Sequence, residues 1–351
     1  MKIDIARQPL VPAFMTLFAL AVAAMCAGIP VSDTSGAVRD ALPLLGGQLA
    51  RFQAAYPVWS KFAAGFMLLF TGMCAGRITI RYNLYTVGTC LPIPLYAIVA
   101  CGIATGGNYL AGFAASMLLA LATKNYCRAF CNGYGFDAIF RASLYLGLMP
   151  LVYAPGLPML LLLPLAVLLF RRTLREVAVA TAGLLLPVFT ACYVSWGTGA
   201  EFTAPLIKLG QSAIEGMPLH LFLDIPLPAL VMAGGIVLLD LTALFFFLAD
   251  IYAAGTKPRF ILFYNIGILI LTLAVLCSPA ATPEAFALLA VPVGHTDPGI
   301  FCPHTQGNSI ARIPDFSGGS LRWNIFTILY LVIIMVSLVL FACLCLFRLF
   351  I

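Results

Sequence analysis

Residues 136–190 carry three apolar runs whose arrangement constrains the chain more than any other stretch. The first, FDAIFRASLYLGLMPLVYA, breaks at Pro155 and Gly156, and LPMLLLLPLAVLLF follows. A basic turn holding Arg171, Arg172 and Arg175 then leads into VAVATAGLLLPVFT. None of these runs has the polar face that a helix on a water-soluble protein needs, so their natural solvent is lipid. Lys and Arg are held on the cytoplasmic side during insertion, so this turn predicts the inner face and orients the rest.

Composition agrees. Charged residues are 9% of the 351 and hydrophobic residues 62%, whereas a soluble domain carries about 25% charged residues. No polar stretch reaches the roughly 50 residues of a small domain, so a single integral-membrane domain over 1–351 is expected. The net charge of +6 sits in short turns between apolar runs. That distribution marks topology and excludes a nucleic-acid face. Most cysteines fall inside apolar runs, where Cys acts as a small buried hydrophobe. Cys127 and Cys131 are one helical turn apart but have no further ligand nearby in sequence, so no metal site is predicted.

In order, residues 10–29 read as a retained first helix after Lys2 and Arg7, with the amino terminus cytoplasmic; a cleaved signal peptide is the competing reading. The first outside loop, 30–61, mixes charged and apolar residues at helical spacing, which predicts surface helices anchored by Tyr56 and Trp59. Apolar runs follow at 62–76, 84–104, 109–123, 136–154, 157–170 and 177–196. Basic turns at Arg77 and Arg81 and at Lys124 and Arg128 separate them on the inner side. A second outside loop spans 197–226. Runs at 227–251 and 260–277 flank Lys257 and Arg259. Residues 282–293 are apolar but short for a span, 294–322 form the last polar loop, and 324–347 the last run. The predicted fold is an all-α polytopic transmembrane bundle of about ten spans, nine to eleven.

The pattern NYCRAFCNGYGFDAIFRASLYLGLMPLVYAPG, with RRTLREVAVATAGLLLPVF and SPAATPEAFALLAVP, resembles an uncharacterised family of multi-pass inner-membrane proteins from Bacteroidetes. More distantly, the layout of apolar helix, Pro break, basic pair and apolar helix ending in Pro is similar to GT-C type glycosyltransferases. Those enzymes use polyprenyl-phosphate sugars and carry an acidic residue soon after the first span. The resemblance implies an inner-membrane role in envelope glycan assembly on a polyprenyl-linked sugar. It also implies a catalytic base at Asp33, or less favourably Asp40, that deprotonates an acceptor hydroxyl or helps hold a divalent cation. Asp33 is followed by Thr34, so the paired acidic motif of those enzymes is missing.

Read as residue types alone, Asp33 and Asp40 serve equally as helix caps or solvated charges. Arg39 is a phosphate-binding candidate or a loop charge. Asp240 lies mid-run, where an ionised side chain costs roughly 2.5–3.5 kcal/mol on insertion scales and faces a partner or cavity. Arg141 is a second intramembrane polar residue, one turn inside its run. His220 with Asp224, and His295 with Cys302 and His304, have too few ligand-type residues for a zinc site. Nucleotide loops, nucleophile elbows and zincin motifs are absent from the sequence. No cofactor is predicted, apart from a divalent cation if the chain is a transferase. Membrane lipids are the expected partners. A non-catalytic scaffold, or a small-solute carrier with Asp240 beside a broken helix, is the alternative function.

Overall fold

The computed structural model describes residues 10–26, 44–82, 84, 90–103, 107–132, 135–214, 221–222, 225, 227–249 and 256–296. Among these every regular element is helical, with no strand. The first six helices are α1 (Leu10–Cys26), α2 (Leu44–Ala55), α3 (Pro57–Arg81), α4 (Pro92–Ile103), α5 (Tyr109–Asn132) and α6 (Phe136–Val152). A 3-10 helix (Ala154–Leu161) runs into α7 (Leu162–Leu169), followed by α8 (Leu174–Gly197) and α9 (Ala204–Ile214). Then come α10 (Leu227–Ala249), α11 (Thr256–Leu276), a 3-10 turn (Pro283–Ala285) and α12 (Phe286–Thr296).

Three helices, α3, α8 and α11, are long and apolar enough to cross a membrane, with 25, 24 and 21 residues. At 1.5 Å per residue each exceeds the roughly 30 Å of a hydrocarbon core. Shorter apolar helices lie in α1, α4, the Ala154–Leu169 segment and α10. The sequence reading expects about ten crossings; by length and hydropathy, the described helices supply these three and four shorter ones.

Local chemistry sets the breaks. Pro155 and Pro158 cannot donate backbone hydrogen bonds, so α6 stops at Val152 and the chain turns at extended Tyr153 before tightening into the 3-10 helix. The basic turn is built more firmly. Thr173 caps α8: the Glu176 N–H donates to its hydroxyl, and the Glu176 carboxylate accepts from the Thr173 N–H. This reciprocal pair satisfies two donors that a helix start leaves bare. Arg172 joins it, its guanidinium 3.2 Å from the other Glu176 oxygen. Arg171 completes the turn in the left-handed region, at φ 47°.

The elements run back and forth between two ends. At one end Tyr82 lies within electrostatic reach of Arg81 and Arg128, and Cys131 within reach of Lys257, Arg81 and Arg172. The ends of α3 and α5, the turn before α8 and the start of α11 therefore meet there. At the opposite end Ser60 of α3 bonds Tyr109 of α5, and Gln53 of α2 bonds the backbone at Gly107 and Leu110. Helices α5 and α6 pack closely, as do α6 and α8. Gly147 and Gly183 allow the second contact, because a Cβ on Gly147 would lie 2.2 Å from the Leu184 carbonyl oxygen. Small residues let apolar helices approach backbone to backbone.

Helix α12 occupies the centre. Residues Phe286 to Val291 and Val293 are all at most 1% exposed, and α4, α5, α10 and α11 pack around them. Eleven residues reach about 16 Å, half a bilayer core. Helix α4, twelve residues long, lies against it, with Gly294 close to Pro92 and Tyr96. Large apolar side chains cover the outside instead: Trp59, Phe66, Leu168, Phe189, Val231 and Ile270 are all more than half exposed. Water-soluble proteins rarely show such continuous apolar surface.

Candidate functional site

Polar side chains inside this apolar bundle gather along α12. At its start Glu284 is 4% exposed. One carboxylate oxygen accepts from the Asn108 N–H at 2.7 Å, and the other is buried with no hydrogen-bond partner. Gly112 makes this approach of α5 possible, since a Cβ there would lie 2.9 Å from the Glu284 carbonyl oxygen. Beside it the Tyr153 hydroxyl meets the Thr282 hydroxyl at 3.1 Å and accepts from the Thr282 N–H at 3.2 Å. This knot pins the start of α12 to α5 and to the break after α6.

Midway along, the Asn265 side-chain amide of α11 donates to the Pro292 carbonyl at 2.9 Å. Its own carbonyl oxygen, and the neighbouring Tyr264 hydroxyl, are buried without a hydrogen-bond partner. Near the far end of α12, the His295 Nδ1–H donates to the Val291 carbonyl at 2.7 Å. Asp240 of α10 is 2% exposed. Its chain neighbour Leu239, with Ala243 one turn on, packs among Ile78, Leu91, Leu95 and Ile261. Helix α10 touches both short helices, α4 and α12.

Polar groups buried in an apolar interior are expensive unless they are partnered. Their concentration on one central helix and its neighbours identifies the candidate site: Asp240, Asn265, His295 and Glu284, with Tyr264 adjacent. Its groups are hydrogen-bond donors and acceptors, and Asp240, His295 and Glu284 are also ionisable. Among the described residues no group of three His, Cys, Asp or Glu is placed to hold a metal ion.

The sequence-derived candidates fall differently. Asp33, Arg39 and Asp40 lie outside the described residues, as do His220, Asp224, Cys302 and His304. Arg141 sits one turn into α6, 2.9 Å from Asp137, and both side chains are more than half exposed. It is a surface pair worth little in stability, and it is not the partner of Asp240. Cys127 and Cys131 are free thiols, the first fully buried. Glu284 and Asn265 escaped the sequence reading, although Asn265, like Asp240, is a polar residue inside an apolar run.

Taken together, fold and site define a class: an all-helical, apolar-surfaced bundle with a short buried helix and an ionisable interior. No protein-family model, curated protein or solved structure matches the chain.

Proposed function

We propose that this chain is a multi-pass inner-membrane protein, basic end toward the cytoplasm, that carries a small solute by alternating access around α12. The observation that carries the reading is the packing of two short apolar helices, α4 and α12, against α10 with its buried Asp240. Secondary carriers place their binding sites where Pro- or Gly-interrupted short helices meet near the bilayer midplane, with ionisable groups alongside. Cytoplasmic retention of the arginine-bearing turns supports the orientation. The apolar exterior supports the bilayer as medium.

The test is cysteine accessibility, which needs no knowledge of the solute. In a version lacking the native cysteines, Ala287→Cys and Ala290→Cys place single thiols on α12, where both positions are at most 1% exposed. A carrier is expected to expose them in turn to a membrane-impermeant maleimide added from either side. A scaffold would shield them from both sides, and that result would end the proposal. Labelling from the outer side alone, with a polyprenyl-linked sugar accumulating in deletion cells, would favour the lipid-linked-sugar transferase reading with Asp33 as base.

A further inference from the structure

The basic end holds more convergent charge than orientation alone requires. Arg81 ends α3, Arg128 lies in the last turns of α5, and Lys257 begins α11. All three are exposed, and among the described residues none of them makes an ion pair. Glu176 is committed to Arg172 and Asp137 to Arg141. Cys131 lies within electrostatic reach of Arg81 and Lys257, and Tyr82 within reach of Arg81 and Arg128. Three helices thus bring exposed cations to one end of the bundle.

The floor of this place is aromatic. Phe130 stacks on Phe170 with ring centroids 4.5 Å apart, and Phe260 meets Phe130 edge-on at 6.0 Å. A rim of cations around an apolar floor suits an amphiphile, with acyl chains beside the helices and anionic head among the charges. Burial pushes the Tyr82 phenol up to about 12, so it remains a neutral donor at physiological pH.

We propose that the basic end seats the headgroup of a phospholipid bearing two phosphates, of the cardiolipin type. Arg81, Arg128 and Lys257 supply the counter-charge and Tyr82 a hydroxyl donor. Two phosphates balance three cations more closely than one does. Arg and Lys bind phosphate oxygens through charge-assisted hydrogen bonds, and such pairs are the strong ones. The inference is independent of the carrier reading, because it needs only the bilayer around these helices.

Native mass spectrometry of the full chain in detergent tests it, with cardiolipin, phosphatidylglycerol and inorganic pyrophosphate as probes. Cardiolipin is expected to bind as a discrete adduct and to raise the unfolding temperature. Each cation removed is expected to weaken it about fivefold, from roughly 1 kcal/mol per charge at an anionic surface. The triple variant Arg81→Gln, Arg128→Gln, Lys257→Gln is then expected to lose about 100-fold. Arg51→Gln, equally basic but on α2 at the opposite end, is expected to leave binding unchanged. If the triple variant fails to fold, Lys257→Gln alone carries the comparison. Equal binding of phosphatidylglycerol, equal protection by pyrophosphate, or an unaltered Lys257→Gln variant would each overturn the assignment.

Discussion

Gly147→Ala is expected to disrupt the bundle more than any other single added methyl group, with a stability loss of about 3 kcal/mol, the upper end of the usual cost of overpacking. The added carbon would lie 2.2 Å from the Leu184 carbonyl oxygen. That atom belongs to the backbone of α8 and moves only if the whole helix moves. Gly183 faces Phe140 in the same interface, where an added Cβ would lie 2.7 Å from the Phe140 carbonyl oxygen, so the two helices have no slack to redistribute. The contrast is Gly267→Ala, where the new carbon would lie 2.1 Å from Leu165 Cδ2. A leucine tip can change rotamer, so a loss under about 1 kcal/mol is expected there. Unfolding in mixed detergent measures both. Equal losses at the two positions would show that distance alone, not the identity of the atom met, governs these contacts.

The second large effect is functional. Asp240→Asn is expected to leave stability equal or higher while restricting Ala290→Cys labelling to one side, with a change in the two-sided rate ratio of about tenfold or more. Asparagine keeps the volume and most of the hydrogen-bonding capacity of the aspartate but cannot ionise. An ionised group at this depth carries an insertion cost of roughly 2.5–3.5 kcal/mol, and the amide escapes it. Functional groups commonly reduce stability, so a steadier but arrested protein is the expected signature of a working carboxylate. Labelling from both sides at wild-type rates in Asp240→Asn would show that the carboxylate takes no part in switching between the two faces.

The helical class was legible because lipid-facing segments announce themselves by runs of Leu, Val, Ala and Phe, and no tertiary contact is needed to read them. Asp240 was legible for the same reason, since a charge in such a run is conspicuous. Glu284 was not read, because its segment looks like a failed span rather than the start of a buried one. What makes it a site is contact with Asn108, 176 positions away in sequence, and no local pattern encodes that. Arg141, one turn inside its run, pairs with Asp137 one turn earlier, and both side chains are more than half exposed. The run 154–169 kept its apolar identity but not its helix type, because Pro155 and Pro158 favour a tighter coil over the first half.

The left-handed conformation of Arg171 has a consequence for how such a protein is made. Glycine would occupy that position without steric penalty, whereas an L side chain there costs roughly 1–2 kcal/mol. The chain instead keeps a guanidinium, and so accepts a permanent backbone cost at the corner where α7 hands over to α8. In the bilayer setting proposed above, that cation would help decide which way round the hairpin settles during insertion. An easier corner would therefore produce a more relaxed hairpin with a weaker sense of direction.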